Sequence, residues 1–447
     1  MIQKHTTQFI NQIRQLGILL CLFLPVISLA QEDPFIRVEN GKFMKGEQPY
    51  YYAGTNMWYA MNLGAGFNEG DIERLKKELD MLQQMGINNL RIMVGTEGPS
   101  DEPWRIQPAL QNKPGKLDPY ILEGLDLVLV ELGRRDMVAV CCLSNFFHWS
   151  GGMAQYVSWA TQTPIPYPHG ENADWTAYQN YSAEFFGNKK AKRYFKRFVK
   201  KLLKRKNSIT GQSYKDDPII MAWELANEPR GFAQKDNYVI WVNETAEFIK
   251  RKDSNHLVCL GGEGLLHGGE GTAFSQLSIC PFLDYLTAHI WVENWGWFDP
   301  KDPVQTYESA RDKAQDYLTK HIKIADEVNK PLVLEEFGMS RDGGEHRPEG
   351  STEWRDTYYR SMLELIYNAA KNGQNISGSN VWSWSGMGFP PRPEEFWKEG
   401  DPLTGDPPHE KQGWYSIHEN DQSTKELLKE FAIKMEVLSG KNFETQK

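Results

Sequence analysis

Eight short apolar runs recur along this chain, and stretches of helical periodicity alternate with them. The runs read as strands at Tyr50–Gly54, Asn89–Met93, Val138–Leu143, Ile219–Trp223, Leu257–Leu260, Tyr285–Ile290, Leu332–Leu334 and Ser379–Trp384. Helical patterns fall at Asp71–Met85, Pro119–Leu132, Lys189–Lys204, Tyr238–Lys252, Asp312–Asn329, Trp354–Asn372 and Lys425–Leu438. In the first of these, Ile72, Leu75, Leu79 and Leu82 form one apolar stripe behind an acidic start. Strands that are apolar on both faces and alternate with helices belong to a parallel sheet with crossovers. Eight such units favour a closed (β/α)8 TIM barrel over an open sheet. No repeat, low-complexity tract or linker divides them, so one domain with enlarged loops at its C-terminal face is expected over residues 31–447.

The first thirty residues follow a different logic. Lys4 and Arg14 precede the apolar run Gly17–Ile27, and Ser28-Leu29-Ala30 offers a small-residue cleavage site. This is the pattern of a secretion signal peptide over residues 1–30, and its short run with Pro25 argues against a membrane anchor. A secreted location, extracellular or periplasmic, is therefore expected.

Two strands end in acid. Pro218-Ile219-Ile220-Met221-Ala222 leads into Trp223-Glu224-Leu225-Ala226-Asn227-Glu228-Pro229-Arg230, which breaks the strand and leaves Glu228 at its carboxyl end. Pro331-Leu332-Val333-Leu334-Glu335-Glu336-Phe337-Gly338 repeats the arrangement about a hundred residues later. A barrel carries its chemistry at the carboxyl ends of its strands. A lone Glu there is most often a surface residue, but two in the same context suit glycosidic bond cleavage, in which one carboxyl protonates and the other attacks or activates water. Strand parity separates Glu335 from Glu336, one facing the mouth and the other the helix layer.

Asn-Glu-Pro on the fourth strand and Glu-Phe-Gly on the seventh resemble the retaining glycosidases of glycoside hydrolase family 5, from roughly Phe35 to the C-terminus. The resemblance implies that Glu228 is the acid/base, Glu336 the nucleophile and Asn227 the partner of the sugar 2-hydroxyl. It further implies an Arg in the role of Arg91, within Asn89-Leu90-Arg91-Ile92, pairing the nucleophile. Arg91 should then keep Glu336 ionised, while Glu228, poorer in positive neighbours, stays protonated near neutral pH. His289 matches the histidine near the catalytic pair. Trp291 stands where the family usually has Tyr, so an indole N–H replaces a phenol. Trp382, in Val381-Trp382-Ser383-Trp384, matches the tryptophan floor of the sugar site, and Trp384 lines the mouth or packs elsewhere. Arg230 matches an Arg that contacts leaving-group sugars in related mannanases. Trp291–Trp297, Gly405–Pro408 and Gly413–Ile417 are also similar to bacterial mannanases, as is Asn145 with Gly151–Tyr156. Ser144 and Phe146-Phe147-His148-Trp149 depart from the pattern there.

Composition agrees with a neutral substrate. The chain carries a formal net charge of −9, and the leader removes Lys4 and Arg14 but no acid. Such a surface does not attract nucleic acid or anionic membrane. The basic helix Lys189–Lys204 interleaves its charges with Tyr194, Phe195, Phe198, Val199 and Leu202, which marks an outer helix with a solvated face. Fifteen Trp and nineteen Tyr provide stacking surfaces for sugar rings or fill the core. Gly261-Gly262-Glu263-Gly264 and Gly268-Gly269-Glu270-Gly271 read as flexible mouth loops, since their acids repel phosphate. Cys141, Cys142, Cys259 and Cys280 lack zinc spacing and are expected as buried thiols. No cofactor or metal is needed by two carboxylates, and a monomer is expected. The combined expectation is a secreted retaining endo-β-1,4-mannanase acting on mannan, glucomannan or galactomannan. An exo-acting β-mannosidase is the nearest alternative, because the long Phe146–Gly187 insertion is able to wall off one end of a cleft. Cellulase or xylanase action and glycan capture without cleavage follow.

Overall fold

The computed structural model describes residues 33–440 apart from 102, 103, 171, 172 and 270. The leader expected at residues 1–30 lies outside them. Eight parallel strands form one sheet: β1 Tyr52–Asn56, β2 Asn89–Met93, β3 Val138–Cys142, β4 Ile220–Glu224, β5 Leu257–Cys259, β6 Leu286–Ile290, β7 Leu332–Phe337 and β8 Ile376–Val381. Their order is β5-β4-β3-β2-β1-β8-β7-β6. The two ends meet through backbone hydrogen bonds, Asp284 N to Val258 O at 2.8 Å and His289 N to Glu263 O at 3.1 Å. The expected (β/α)8 barrel is what the chain forms.

The helices follow from local chemistry. α1, Asp71–Gln84, places Asp71 and Glu73 in its first turn, where acids favour the positive end of the helix dipole. It buries Leu75, Leu79 and Leu82 at successive turns. α2, Pro119–Gly133, starts with Pro at a position that needs no N–H, behind Asp118, whose side chain accepts from Tyr120 N and Ile121 N. α3, Lys189–Leu203, buries Phe195, Phe198, Val199 and Leu202 and turns its lysines outward. α4 Lys235–Lys250, α5 Phe274–Leu277, α6 Pro303–Val328, α7 Glu353–Lys371 and α8 Gln422–Leu438 complete the outer layer. α5 is a single turn, which is why no helical period is legible between β5 and β6.

Further elements lie outside the eight units, the insertion after β3 among them as expected. An antiparallel three-stranded meander, Ile36–Glu39, Lys42–Lys45 and Gln48–Pro49, precedes β1. Its Ile36 and Phe43 pack among Tyr52, Val140, Ala222, Tyr285 and Val333, and so plug the N-terminal end of the barrel interior. The insertion after β3 holds two helices, Gly152–Thr161 and Trp175–Gly187. Cys141, Cys142, Cys259 and Cys280 are all buried and free, as expected. No described helix is long and apolar enough to cross a membrane.

Candidate active site

Register decides what faces the mouth. Along β6 and β7, Ala288 pairs with Leu334, but His289 pairs with Glu336, so Glu335 is one residue extra. A bulge of this kind breaks strict alternation. Glu335 and Glu336 therefore both turn inward, where each reaches Arg91 and His289. The expectation that one of them faces the helix layer is wrong, because parity assumes an unbroken ladder.

Arg91, on β2, is buried at the centre. Its Nε and Nη2 clamp Glu224 at 2.7 and 2.6 Å, Nη2 also donates to Asn227 Oδ1 at 2.8 Å, and Nη1 donates to Asn56 Oδ1 at 3.0 Å. A further, short contact joins Nη1 to Glu336. Arg91 thus ties Glu336 to the strand-4 acid Glu224, which the sequence reading passed over. Glu224 lies one strand period beyond inward Ala222, so alternation along β4 carried the signal.

Glu228 follows β4 with φ of 49°, a left-handed conformation that costs a non-glycine residue about 1–3 kcal/mol. Its N–H donates to Gly261 O at 2.8 Å. The turn aims its carboxyl across the mouth. His289 Nδ1 stands 2.7 Å from Glu228 Oε1 and 3.4 Å from Glu336 Oε2, and the facing atoms of all three lie within 4.8 Å of one another. Trp291 Nε1 donates to Glu228 Oε1 at 3.3 Å, so its indole serves this carboxyl. The two carboxylate clusters, Glu224–Cys259–Glu335 and Glu228–His289–Glu336, have spacings a cation could use. Arg91 already supplies positive charge to both through Glu224, Glu335 and Glu336.

Burial and charge oppose one another at these three groups. Burial pushes Glu336 up to about 8, against the pull of His289 and Arg91. Burial also opposes the anion of Glu228, but the hydrogen bond and charge of His289 outweigh it and lower its pKa. His289 is pushed up to about 10: burial works against its charge, and Glu336, Glu228 and Glu335 prevail. Burial and the shared contacts of Arg91 and His289 thus act on Glu336 and Glu228 together, raising the first and lowering the second. The two facing carboxyls titrate as a pair that keeps one proton to about pH 8.

Around this centre lies a cleft of about 1410 Å³ lined by aromatic rings. Trp382, just past β8, meets Trp291 edge-on at 5.8 Å and Trp149 at 6.3 Å. Trp384 is buried away from the cleft, with its carbonyl accepting from Tyr59. Arg230 lines the cleft, clamped by Glu263 at 2.7 and 2.7 Å and lying 5.5 Å from the centre of the Phe147 ring. Asn145 accepts from Asn227 Nδ2 at 3.3 Å and thereby steadies it.

The stretch Gly261–Gly264 is buried, which corrects its reading as a flexible mouth loop. A side chain at Gly261 would meet Glu224 Oε1 at 2.2 Å, and one at Gly264 would meet His321 Nε2 at 2.1 Å. Close packing, not mobility, requires these glycines. Asp406 explains the Gly405–Pro408 and Gly413–Ile417 motifs: it accepts from Gly413 N at 2.8 Å and Tyr415 N at 2.7 Å, folding the long loop after β8 onto itself.

With this geometry in view, comparison with known proteins is decisive. Residues 33–439 match the model of the glycoside hydrolase family 5 β-mannosidase-like group. The chain belongs to glycoside hydrolase family 5. Among solved structures, this family 5 hydrolase is similar to a family 5 mannosidase from Rhizomucor miehei, with 35% identity and a TM-score of 0.84 over 92% of this chain and 100% of the other. Among curated proteins it is 31% identical over 376 residues to mannan endo-1,4-β-mannosidase 5 of Solanum lycopersicum, covering 80% of this chain and 83% of the relative. The corresponding enzyme 5 of Arabidopsis thaliana is 28% identical over 401 residues, covering 86% and 84%.

Proposed function

We propose that this family 5 hydrolase cleaves β-1,4-mannosidic bonds with retention of configuration, Glu228 acting as acid/base and Glu336 as nucleophile. The observation that supports the reading is that facing oxygens of Glu228 and Glu336 lie within 4.8 Å of one another, both in reach of His289 Nδ1. A retaining pair stands roughly 5–5.5 Å apart, whereas an inverting pair needs about 6.5–9.5 Å to admit water. Glu228 protonates the bridging oxygen while Glu336 bonds the anomeric carbon; Glu228 then takes a proton from the water that releases the sugar. The coupled pair holds the single proton this requires, and in the reactive form that proton is on Glu228. Asn227, held by Arg91 and Asn145, faces the sugar beside Glu228. Trp382 floors the site, and Arg230 and Trp291 line the leaving-group side.

The catalytic domain spans residues 31–447 in this reading, secreted after removal of residues 1–30. Internal cleavage of mannan, glucomannan or galactomannan is supported by the names of the curated relatives and by a large cleft whose lining includes Trp175, Phe396, Trp297 and Phe298. Chain-end cleavage is the second reading. The insertion after β3 and the loop after β8 touch beside the cleft floor: His409 stacks on Trp149 at 6.1 Å, and His169 meets Phe396 at 5.8 Å. Galactomannan viscosity separates the two. Internal cutting drops viscosity before reducing ends accumulate and gives a spread of oligosaccharides. Mannose or mannobiose alone, at nearly constant viscosity, establishes chain-end action. Failure to release reducing sugar from mannan, beside release from xylan or β-glucan, overturns the mannan assignment itself.

A further inference from the structure

The two-carboxylate reading gives no role to Glu335. Glu335 is 1% exposed, and the bulge in β7 is what turns it inward. Its backbone carbonyl accepts from Asn56 Nδ2 at 2.9 Å, and Asn56 in turn accepts from Arg91, so the bulge is anchored from β1. Its carboxyl lies 3.3 Å from His289 Nε2, on the side of the ring opposite Glu228. Burying an acid beside Glu224 is costly, and burial with that like charge does raise its pKa. A leucine would fill such a place at less cost.

We propose that Glu335 is a positioning residue that acts through His289 on the acid/base, a role resting on the assignment of Glu228 above. An acceptor on Nε2 keeps a proton there, which leaves Nδ1 as the atom facing Glu228. Neutral His289 then accepts the Glu228 O–H, and the imidazolium donates to the Glu228 carboxylate. One proton sits between the two atoms in either form, at 2.7 Å. Without the acceptor on Nε2 the neutral ring is free to carry its proton on Nδ1, and it can no longer accept from protonated Glu228. The groups around the dyad are Arg91 from β2, Glu224 at the end of β4, Glu228 and Arg230 after it, Cys259 from β5, Glu263 after β5, Tyr285 just before β6, Glu336 from β7 and Tyr52 from β1. Arg91 keeps Glu224 and Glu336 as partners when Glu335 loses its charge, so neutralising Glu335 strands no cation.

Glu335→Gln and Glu335→Leu test this in the full chain against Glu228→Ala as reference. Expected is a drop in kcat of at least 10-fold on mannooligosaccharides for Leu and a smaller one for Gln, whose amide oxygen still accepts from Nε2. The fall in aryl β-mannoside glycosylation, with a leaving group that needs no proton, should be under threefold for Gln. The thermal midpoint of Glu335→Gln should stay equal or rise. Loss of a neighbouring anion loosens the shared proton, so the alkaline limb of its kcat/KM profile should move to lower pH. Equal losses on both substrates, or wild-type kcat with an unmoved alkaline limb, overturn the proposal. If Glu228→Ala itself shows no dependence on leaving group, the acid/base assignment is what has failed.

Discussion

His289 Nδ1 lies 2.7 Å from Glu228 Oε1 and 3.4 Å from Glu336 Oε2, so one imidazole spans both facing carboxyls. The charge of that ring acts on both carboxyls: it lowers the pKa of Glu228 and opposes the rise that burial imposes on Glu336. In the reaction proposed above, a sugar oxygen entering beside Glu228 would take the place of this contact, so the pair needs no net gain or loss of a proton.

Glu228→Ala is expected to slow hydrolysis of mannooligosaccharides by about 10²–10⁴-fold, the usual worth of general acid catalysis. An activated aryl mannooligoside should still react once and then stall as a glycosyl-enzyme. Burst kinetics with mass detection of the adduct check this; equal loss in the first step on both substrates counts against Glu228.

Loss of the attacking group is a different defect. Glu336→Gly should lower turnover on the order of 10⁴-fold or more. Added azide should restore bond cleavage and give the α-mannosyl azide, which NMR distinguishes from the β anomer. The wild-type product should be β. An α product from the wild type would end the retaining assignment.

Both activity and stability should fall at alkaline pH. The shared proton leaves at about pH 8, so kcat/KM should decline above that value. Glu336 is raised from 4.5 to about 8 in the folded protein, so the folded state binds this proton more tightly than the unfolded state. Its contribution is fully present below pH 4.5 and is lost as pH rises through about 8. Thermal midpoints measured from pH 6 to pH 9 should decrease, with a shallower slope in Glu336→Gln.

Arg91→Leu should destabilise the fold by about 3–5 kcal/mol, because Glu224 and Glu336 are left as buried acids without their cation. Denaturant unfolding measures this. A double variant, Arg91→Leu with Glu224→Leu, should recover part of the loss.

Gly261→Ala tests the correction made to the glycine-rich stretch. A methyl there meets Glu224 Oε1 at 2.2 Å and Ala226 O at 2.4 Å, on a backbone with φ of 79°. Destabilisation of about 1–3 kcal/mol is expected, with loss of activity as Glu228, which donates to Gly261 O, shifts. Gly268→Ala, with nothing within 4 Å, should be milder.

Much of this enzyme was legible in the order of its residues alone. Apolar runs alternating with helical stripes require a covered parallel sheet, and the Pro-led runs ending at Glu228 and Glu336 place two acids at one end of it. Those are local properties: burial on both faces selects β-rich apolar runs, and turn residues stop them where side chains are to emerge. The N-terminal meander escaped notice because its strands are only two to four residues long. What tertiary structure alone decided is the electrostatics. The inward turn of Glu335 comes from a register shift between β6 and β7, which depends on the partner strand and not on β7 itself. Arg91 is shared with Glu224 because β2 and β4 flank β3 across the barrel. His289 sits on Glu228 because the sheet closes between β5 and β6. Charges act through space at a few ångströms, so protonation follows from which strands meet, and no local pattern in the chain records that.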